Sequence, residues 1–538
     1  MGVNGRIAAG ALALAFMGVL VGGAFVGLLQ EGLGSAGHML AVFDSYLFRI
    51  ARFTLWQAVL STVLSVVPAL LVARAFVRHP SFLGRKLILQ LFAVPLALPA
   101  IVAVIGILAL FGRAGYLAPV VSTLFDWRWP GTYGLSGILI AHVFFNMPMA
   151  TRLFLAALET IPPHQWRLST QLGMGGMASF RFVEWPVLRS AIPGVAGLVF
   201  LLCVTSFTIV LTLGGGPGAT TLEVAIYQAL RFDFDPQRAI ALTLVQLMLT
   251  CSILWLLTRF GIVLTGDTHL PVGSRRLLFP GRLERVVNCT MIALALIFVG
   301  SPMVTIAVAG LEADLQRLAA DPAVHHATLV SLSLAFAAAS LSVVLAFGLV
   351  SARRSLELKR RSSDAGFFEH LTDDGVMMVL VIPPIVLGAG WFVLLRTWID
   401  VFSVAPFMVA WVNAVMALPF AVRIIGPAYD AASQRHEKLC SSLGIEGFAR
   451  LRLIDWPPMR RPALLAFAFA MALSLGDLGV IALFGSDQVQ TLPYLLLQRM
   501  GSYRTADAAG IALFVGILCL SLMYVAGRES AAADAPSR

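Results

Sequence analysis

RLSTQLGMGGMASFRFVEWPVLR, Arg167–Arg189, returns 271 residues later as KLCSSLGIEGFARLRLIDWPPMR, Lys438–Arg460. Without a gap, Leu168/Leu439, Leu172/Leu443, Gly173/Gly444, Gly176/Gly447, Arg181/Arg452, Trp185/Trp456, Pro186/Pro457 and Arg189/Arg460 are identical, and Glu184/Asp455 keeps its charge. The same spacing relates Pro148 to Pro419, Arg152 to Arg423 and Gly214 to Gly485. A register kept over so long a stretch marks a tandem duplication.

Working outward, the flanks are apolar. Of 538 residues 59% are hydrophobic and 12% charged, against about 25% charged in soluble domains. The composition excludes a large soluble enzyme. A helix needs about 20 apolar residues to cross a bilayer, and twelve stretches qualify: 7–29, 53–76, 87–111, 135–158, 191–213, 238–264, 286–309, 327–352, 375–395, 404–425, 462–484 and 508–526. Six fall on each side of a polar connector around Asp267–Arg285. The expected fold is therefore an all-α polytopic membrane protein of about twelve transmembrane helices, a duplicated six-helix unit. The two halves share one topology, with a pseudo-twofold axis along the membrane normal. Expected divisions are an N-terminal helix and outer loop (1–52), a first transmembrane domain (53–264), a connector with the seventh helix and outer loop (265–326), a second transmembrane domain (327–527) and a tail (528–538). The first apolar run is longer than a signal-peptide core and reads as a retained helix.

Lys and Arg set orientation. Counted from a cytoplasmic N-terminus, the inner loops hold Arg74, Arg78, Arg85, Lys86, Arg181, Arg353, Arg354, Arg435, Arg450 and Arg452, while outer loops carry Asp44, Asp126, Glu312 and Asp321. Both termini, the connector and both copies of the repeated loop are expected inside. The net charge of +10 then reflects basic inner loops beside a lipid bilayer, not nucleic-acid binding.

The repeated loop spans about 30 residues, where helix connections usually take about 2–8. It reads as a short helix stopped by Gly173 or Gly444, a turn, and a new helix started by Pro186 or Pro457. Two such helices at equivalent positions suggest docking elements rather than amphipathic segments resting on headgroups.

Other constellations carry less. His436-Glu437 lacks the second His of a zinc-protease helix; His325-His326 reads as an interface pair. Cys203, Cys251, Cys289, Cys440 and Cys519 are scattered with no CxxC, so neither a metal nor a catalytic group is expected. Gly214–Thr221 is Gly-rich but has no Lys and no ATP-binding pattern. Trp127 and Trp129 suit an interfacial belt. Asp477 lies inside the eleventh span, with Ser206 as its counterpart. Charged groups there are costly and usually face a cavity; with Asn146 and Asn413 they are the candidate substrate path. Pro95/Pro99 and Pro383/Pro384 should break the third and ninth spans.

The loop resembles the coupling loop of ABC-importer permeases, whose signature is roughly E-A-A-x-x-x-G followed by I-x-L-P. Gly173 and Pro186, and Gly444 and Pro457, occupy the marker positions, while Arg167 and Lys438 replace the Glu. Ser206–Gln246, QLGMGGMASFRFVEWP and Ser474–Arg504 are similar to permeases of bacterial thiamine/thiamine pyrophosphate importers; fused ferric-iron permeases share the architecture. The resemblance implies a type I importer permease in the inner membrane. Two copies of an ATPase subunit would use ATP and Mg, and a periplasmic thiamine-binding protein would deliver the substrate; this chain itself would bind no cofactor. It places ATPase coupling on Arg167, Leu172, Gly173, Gly176, Phe180, Trp185 and Pro186, and on Lys438, Leu443, Gly444, Gly447, Leu451, Trp456 and Pro457. An ion-gradient carrier of two six-helix halves stays as an alternative from another class.

Overall fold

A computed structural model describes residues 3–33, 44–126, 129–259, 281–359, 366–379, 382–445, 447–486 and 488–531. Trp127 and most of the connector lie outside them. The described elements are helices. Nine of these are long and apolar enough to cross a membrane, and a tenth forms if the pair Arg85–Ala97 and Ala100–Phe111 is one span.

The difference from twelve has local causes. The third span bends by 112° between Ala97 and Ala100, where Pro99 has no N–H to continue the ladder. The ninth, at 375–395, is split into Phe367–Met378 and Pro384–Leu395, 12 residues each. Prolines at 383 and 384 interrupt it, as their sequence implies. The eleventh runs as Trp456–Leu475 and restarts at Gly479–Phe484. Arg460 and Arg461 at its foot dilute its apolar length.

Packing divides the chain into two units: 44–224 with 246–313, and 1–43 with 225–245 and 314–538. In the latter, the first helix, Val3–Leu33, packs on Pro322–Lys359 and Pro384–Leu395. Approach is close because small residues face each other. A Cβ on Gly390 would sit 2.3 Å from the Ala24 carbonyl oxygen, and Trp391 Nε1 donates to the Leu20 carbonyl at 2.7 Å. In the other unit, Arg282–Leu311 packs on Ser45–Arg78 and Ala100–Phe111; Thr305 Oγ1 donates to the Gly106 carbonyl at 2.9 Å. Each unit thus takes one long helix from the stretch of sequence preceding the other repeat.

Candidate functional site: two matched loops and two broken helices

Both repeated loops adopt the same local backbone. At their turns Gly173 and Gly444 have φ of 62° and 61°, the left-handed conformation that costs a Cβ-bearing residue about 1 kcal/mol. Each turn is closed by the same bond: Met174 N–H to the Ser169 carbonyl and Ile445 N–H to the Cys440 carbonyl, both 3.0 Å. One turn of α-helix follows, Gly176–Ser179 or Gly447–Arg450, then a π-helical turn, Phe180–Glu184 or Leu451–Asp455. The widened turn has a cause in Pro186 and Pro457. Each proline lacks a donor, and its ring crowds the carbonyl four residues back.

The approach to the two turns differs. In the first copy Leu135–Glu159 ends before Pro162-Pro163, and a separate short helix Pro163–Gln171 leads to Gly173. In the second, Ala405–Leu443 is one helix of 39 residues. The short helix expected there is its last turns. Ser433 and Gln434 stand where the first copy has the two prolines, so the backbone ladder is not interrupted at that point.

The surfaces of the two loops match. Leu172 and Leu443 are each 62% exposed, and Phe182 and Leu453 are 63% and 64% exposed. Leu168, Leu439, Trp185 and Trp456 are exposed as well, as are Arg167, Pro186 and Pro457, while Phe180 and Leu451 are half-buried. Lys438 lies on the long helix, but its side chain is outside the described set, as is Glu446. Apolar side chains held outward on fixed backbone form a surface suited to a partner.

Charge fastens each loop from below. Glu184 is fully buried and receives Arg74 Nε at 2.9 Å and Arg78 Nε at 2.8 Å. Both arginines also donate to the Gly176 carbonyl, at 3.0 and 3.2 Å. Glu284 Oε1 lies 3.0 Å from Arg78 Nη1, and the Arg74 guanidinium rests 4.9 Å over Phe180. In the second copy, Asp455 pairs with Arg6 at 2.8 Å and lies 3.7 Å from Arg450. Glu184 and Asp455 were visible in the repeat as a kept charge; of their partners Arg74, Arg78 and Arg450 read only as orienting cations, and Arg6 was not singled out. The spacing of Arg74 and Arg78, four apart at a helix end, was the available signal.

The candidate path residues fall on the second shared feature. Ser206 sits between Trp185–Val204 and Thr208–Leu213, and Asp477 between Trp456–Leu475 and Gly479–Phe484. Both halves break the same helix at the same register, a recurrent mark of membrane transport sites. Asp477 Oδ1 accepts from Gly479 N–H at 3.0 Å, while Oδ2 is buried with no hydrogen-bond partner among the described residues. Asn413 Nδ2 donates to Ser474 Oγ at 3.0 Å, beside that break. Asn146 donates to Cys203 Sγ at 3.3 Å, three residues before Ser206. The structure thus gathers Asn413 with Asp477 in one unit and Asn146 with the Ser206 break in the other.

The described residues contain no group of three or more His, Cys, Asp or Glu able to hold a metal ion. Residues 65–261 match the family model for binding-protein-dependent transport system inner membrane components. The chain is 57% identical over 523 residues to a thiamine transport system permease protein of Brucella abortus, covering 97% of this chain and 95% of the relative. The protein of that name from Escherichia coli is 44% identical over 484 residues, covering 90% and 89%, and that from Haemophilus influenzae 39% over 519, covering 95% and 94%. These relatives lend no support to the ferric-iron alternative. Likeness of this degree, end to end through both repeats, places the chain in the family of thiamine transport system permease proteins.

Proposed function

We propose that this chain is the membrane-spanning permease of an ATP-driven importer that carries thiamine or thiamine phosphates. A periplasmic binding protein delivers the substrate. Two copies of a separate ABC ATPase subunit supply the energy by docking on the loops around Gly173 and Gly444. The observation that carries this reading is the pair of loops 271 residues apart, alike in backbone and in exposed apolar side chains. Two copies of one subunit need two equivalent seats. The chain contributes no chemistry of its own: ATP binds the closed ATPase dimer more tightly than the open one, and that difference biases the permease between outward- and inward-facing states. Residues 53–264 and 327–527 act as the two transport domains, flanked by 1–52, 265–326 and the tail 528–538. Asn146, Ser206, Asn413 and Asp477 line the path, where Asp477 offers a negative charge to a cationic substrate. The loops, the connector and both termini face the cytoplasm of a bacterial inner membrane.

Single cysteines replacing Leu172 and Leu443 test docking and orientation together. The expected result is no labelling by an impermeant thiol reagent in intact cells and cross-linking to the ATPase subunit in inside-out vesicles. Labelling from outside would defeat the reading.

A further inference from the structure

A chain of buried polar groups runs through the 44–224 and 246–313 unit. The Leu222 N–H donates to Thr54 Oγ1 at 3.1 Å. Gln57 Nε2 donates to the Thr54 carbonyl at 3.1 Å and to the Cys203 carbonyl at 2.9 Å. One turn further along, Ser61 Oγ lies 2.8 Å from His142 Nδ1. Next to Leu222, Glu223 is 1% exposed, and neither of its carboxylate oxygens has a hydrogen-bond partner among the described residues. Gln57 Oε1 and His142 Nε2 are also buried without one. Unpaired polar atoms in such a place are expensive. Protonating Glu223 removes the cost of the charge but leaves a neutral carboxyl group still without a hydrogen-bond partner among the described residues.

The second repeat serves as an internal control. There the Leu492 N–H donates to Ser331 Oγ at 2.7 Å, the same bond as Leu222 to Thr54. From those anchors, Leu334 stands at the register of Gln57, Ala338 at that of Ser61 and Pro493 at that of Glu223. The repeat spacing puts Asn413 at the register of His142. The same scaffold therefore folds with apolar residues at three of these four positions. A polar set that folding required would be present in both copies; this one was placed in a single copy and left with open acceptors.

We propose that Glu223, with Gln57 and His142, forms a binding site for an organic cation that carries hydrogen-bond donors, occupied by the substrate during its passage. The inference rests on the thiamine reading and deepens it. A buried acid with no hydrogen-bond partner and no counter-ion among the described residues can ionise against a positive ligand, and the free Gln57 oxygen calls for a donor. Thiamine has both, a quaternary thiazolium and an aminopyrimidine. The stretch from Thr54 to Ser61 covers about 10 Å of helix, the reach of a two-ring molecule. Entry requires the enclosing helices to part, as alternating access does.

The test uses the full chain with its ATPase subunits and binding protein in proteoliposomes, and radiolabelled thiamine as probe. Glu223→Gln keeps shape and removes charge; Glu223→Asp keeps charge; Gln57→Leu installs the residue that the second repeat already tolerates. Expected, at equal protein level and equal ATPase co-purification, is at least a tenfold loss of uptake for Glu223→Gln, a smaller loss for Glu223→Asp and a several-fold loss for Gln57→Leu. Wild-type uptake in Glu223→Gln, or equal losses in the Gln and Asp variants, overturns the site. Should Glu223→Gln fail to accumulate, Gln57→Leu decides alone, and wild-type uptake there overturns it. A wild-type complex that carries no thiamine defeats the substrate reading and this inference with it, whereas thiamine transport untouched by the variants defeats the inference alone.

Discussion

Replacing Glu184 with alanine removes the carboxylate that two arginines converge on. Arg78 is 5% exposed and Arg74 is 23% exposed at the side chain, so neither cation can be fully hydrated where it stands. Removing one partner of a buried ion pair typically costs about 3–5 kcal/mol. Glu284 remains 3.0 Å from Arg78 and the Gly176 carbonyl still accepts from both arginines, so the lower end, about 3 kcal/mol, applies. Because the arginines sit on Ser45–Arg78 and the acid on the loop, the loss falls on the joint between them. Hydrogen exchange reads it directly. The amides of 177–188 should lose roughly a hundredfold in protection, at about 1.4 kcal/mol for each factor of ten, while those in the middle of Leu135–Glu159 stay as they were. Asp455→Ala should loosen the second loop in the same way, since Arg6 lies 2.8 Å and Arg450 3.7 Å from its carboxylate. Unchanged protection in 177–188, or a loss spread evenly over the molecule, would refute the idea that the loop is fastened by charge.

Three further outcomes are expected. Gly173→Val and Gly444→Val should each strain a left-handed turn by at least about 1 kcal/mol, leaving insertion intact but weakening ATPase co-purification or uncoupling hydrolysis from uptake; normal coupled uptake in both would count against docking there. Changing Pro162 and Pro163 to Ser and Gln, the residues of the second copy, should let the helix run on from Glu159, seen as new amide protection across 160–166. His79, at the end of Ser45–Arg78, is pushed below its ordinary 6.5 by burial and by nearby Arg285. Its protonation is thus disfavoured in the folded state, so stability is full above pH about 6.5 and falls as pH drops below it. His79→Gln should flatten that fall in a thermal-unfolding series.

The duplication, the breaks in the third and ninth spans and the two glycine turns were legible because each leaves a local mark: a repeated string, a proline, or a glycine where the chain must turn left-handed; the breaks at Ser206 and Asp477 carry no proline, and their spans read as continuous. Asp477 and Asn413 stood out as polar residues in apolar runs, and the structure sets them side by side. Other features depend on contacts that no local pattern records. Arg6 meets Asp455 from 449 residues away, so its role could not be read from its neighbours. Gln57, Ser61 and Glu223 match no motif in the sequence, and it is their burial in the fold that sets them apart. The fused Ala405–Leu443 helix followed from an absence, the missing proline pair, which a comparison of the two copies could have supplied.

The central claim is that ATP hydrolysis by docked subunits drives thiamine through this chain. The direct measurement is thiamine accumulation in proteoliposomes holding the chain, its ATPase subunits and the binding protein, with and without ATP and with and without an imposed ion gradient. Accumulation that requires ATP and the ATPase subunits and ignores the gradient is the expected result; accumulation that follows the gradient in the absence of the ATPase subunits would contradict it.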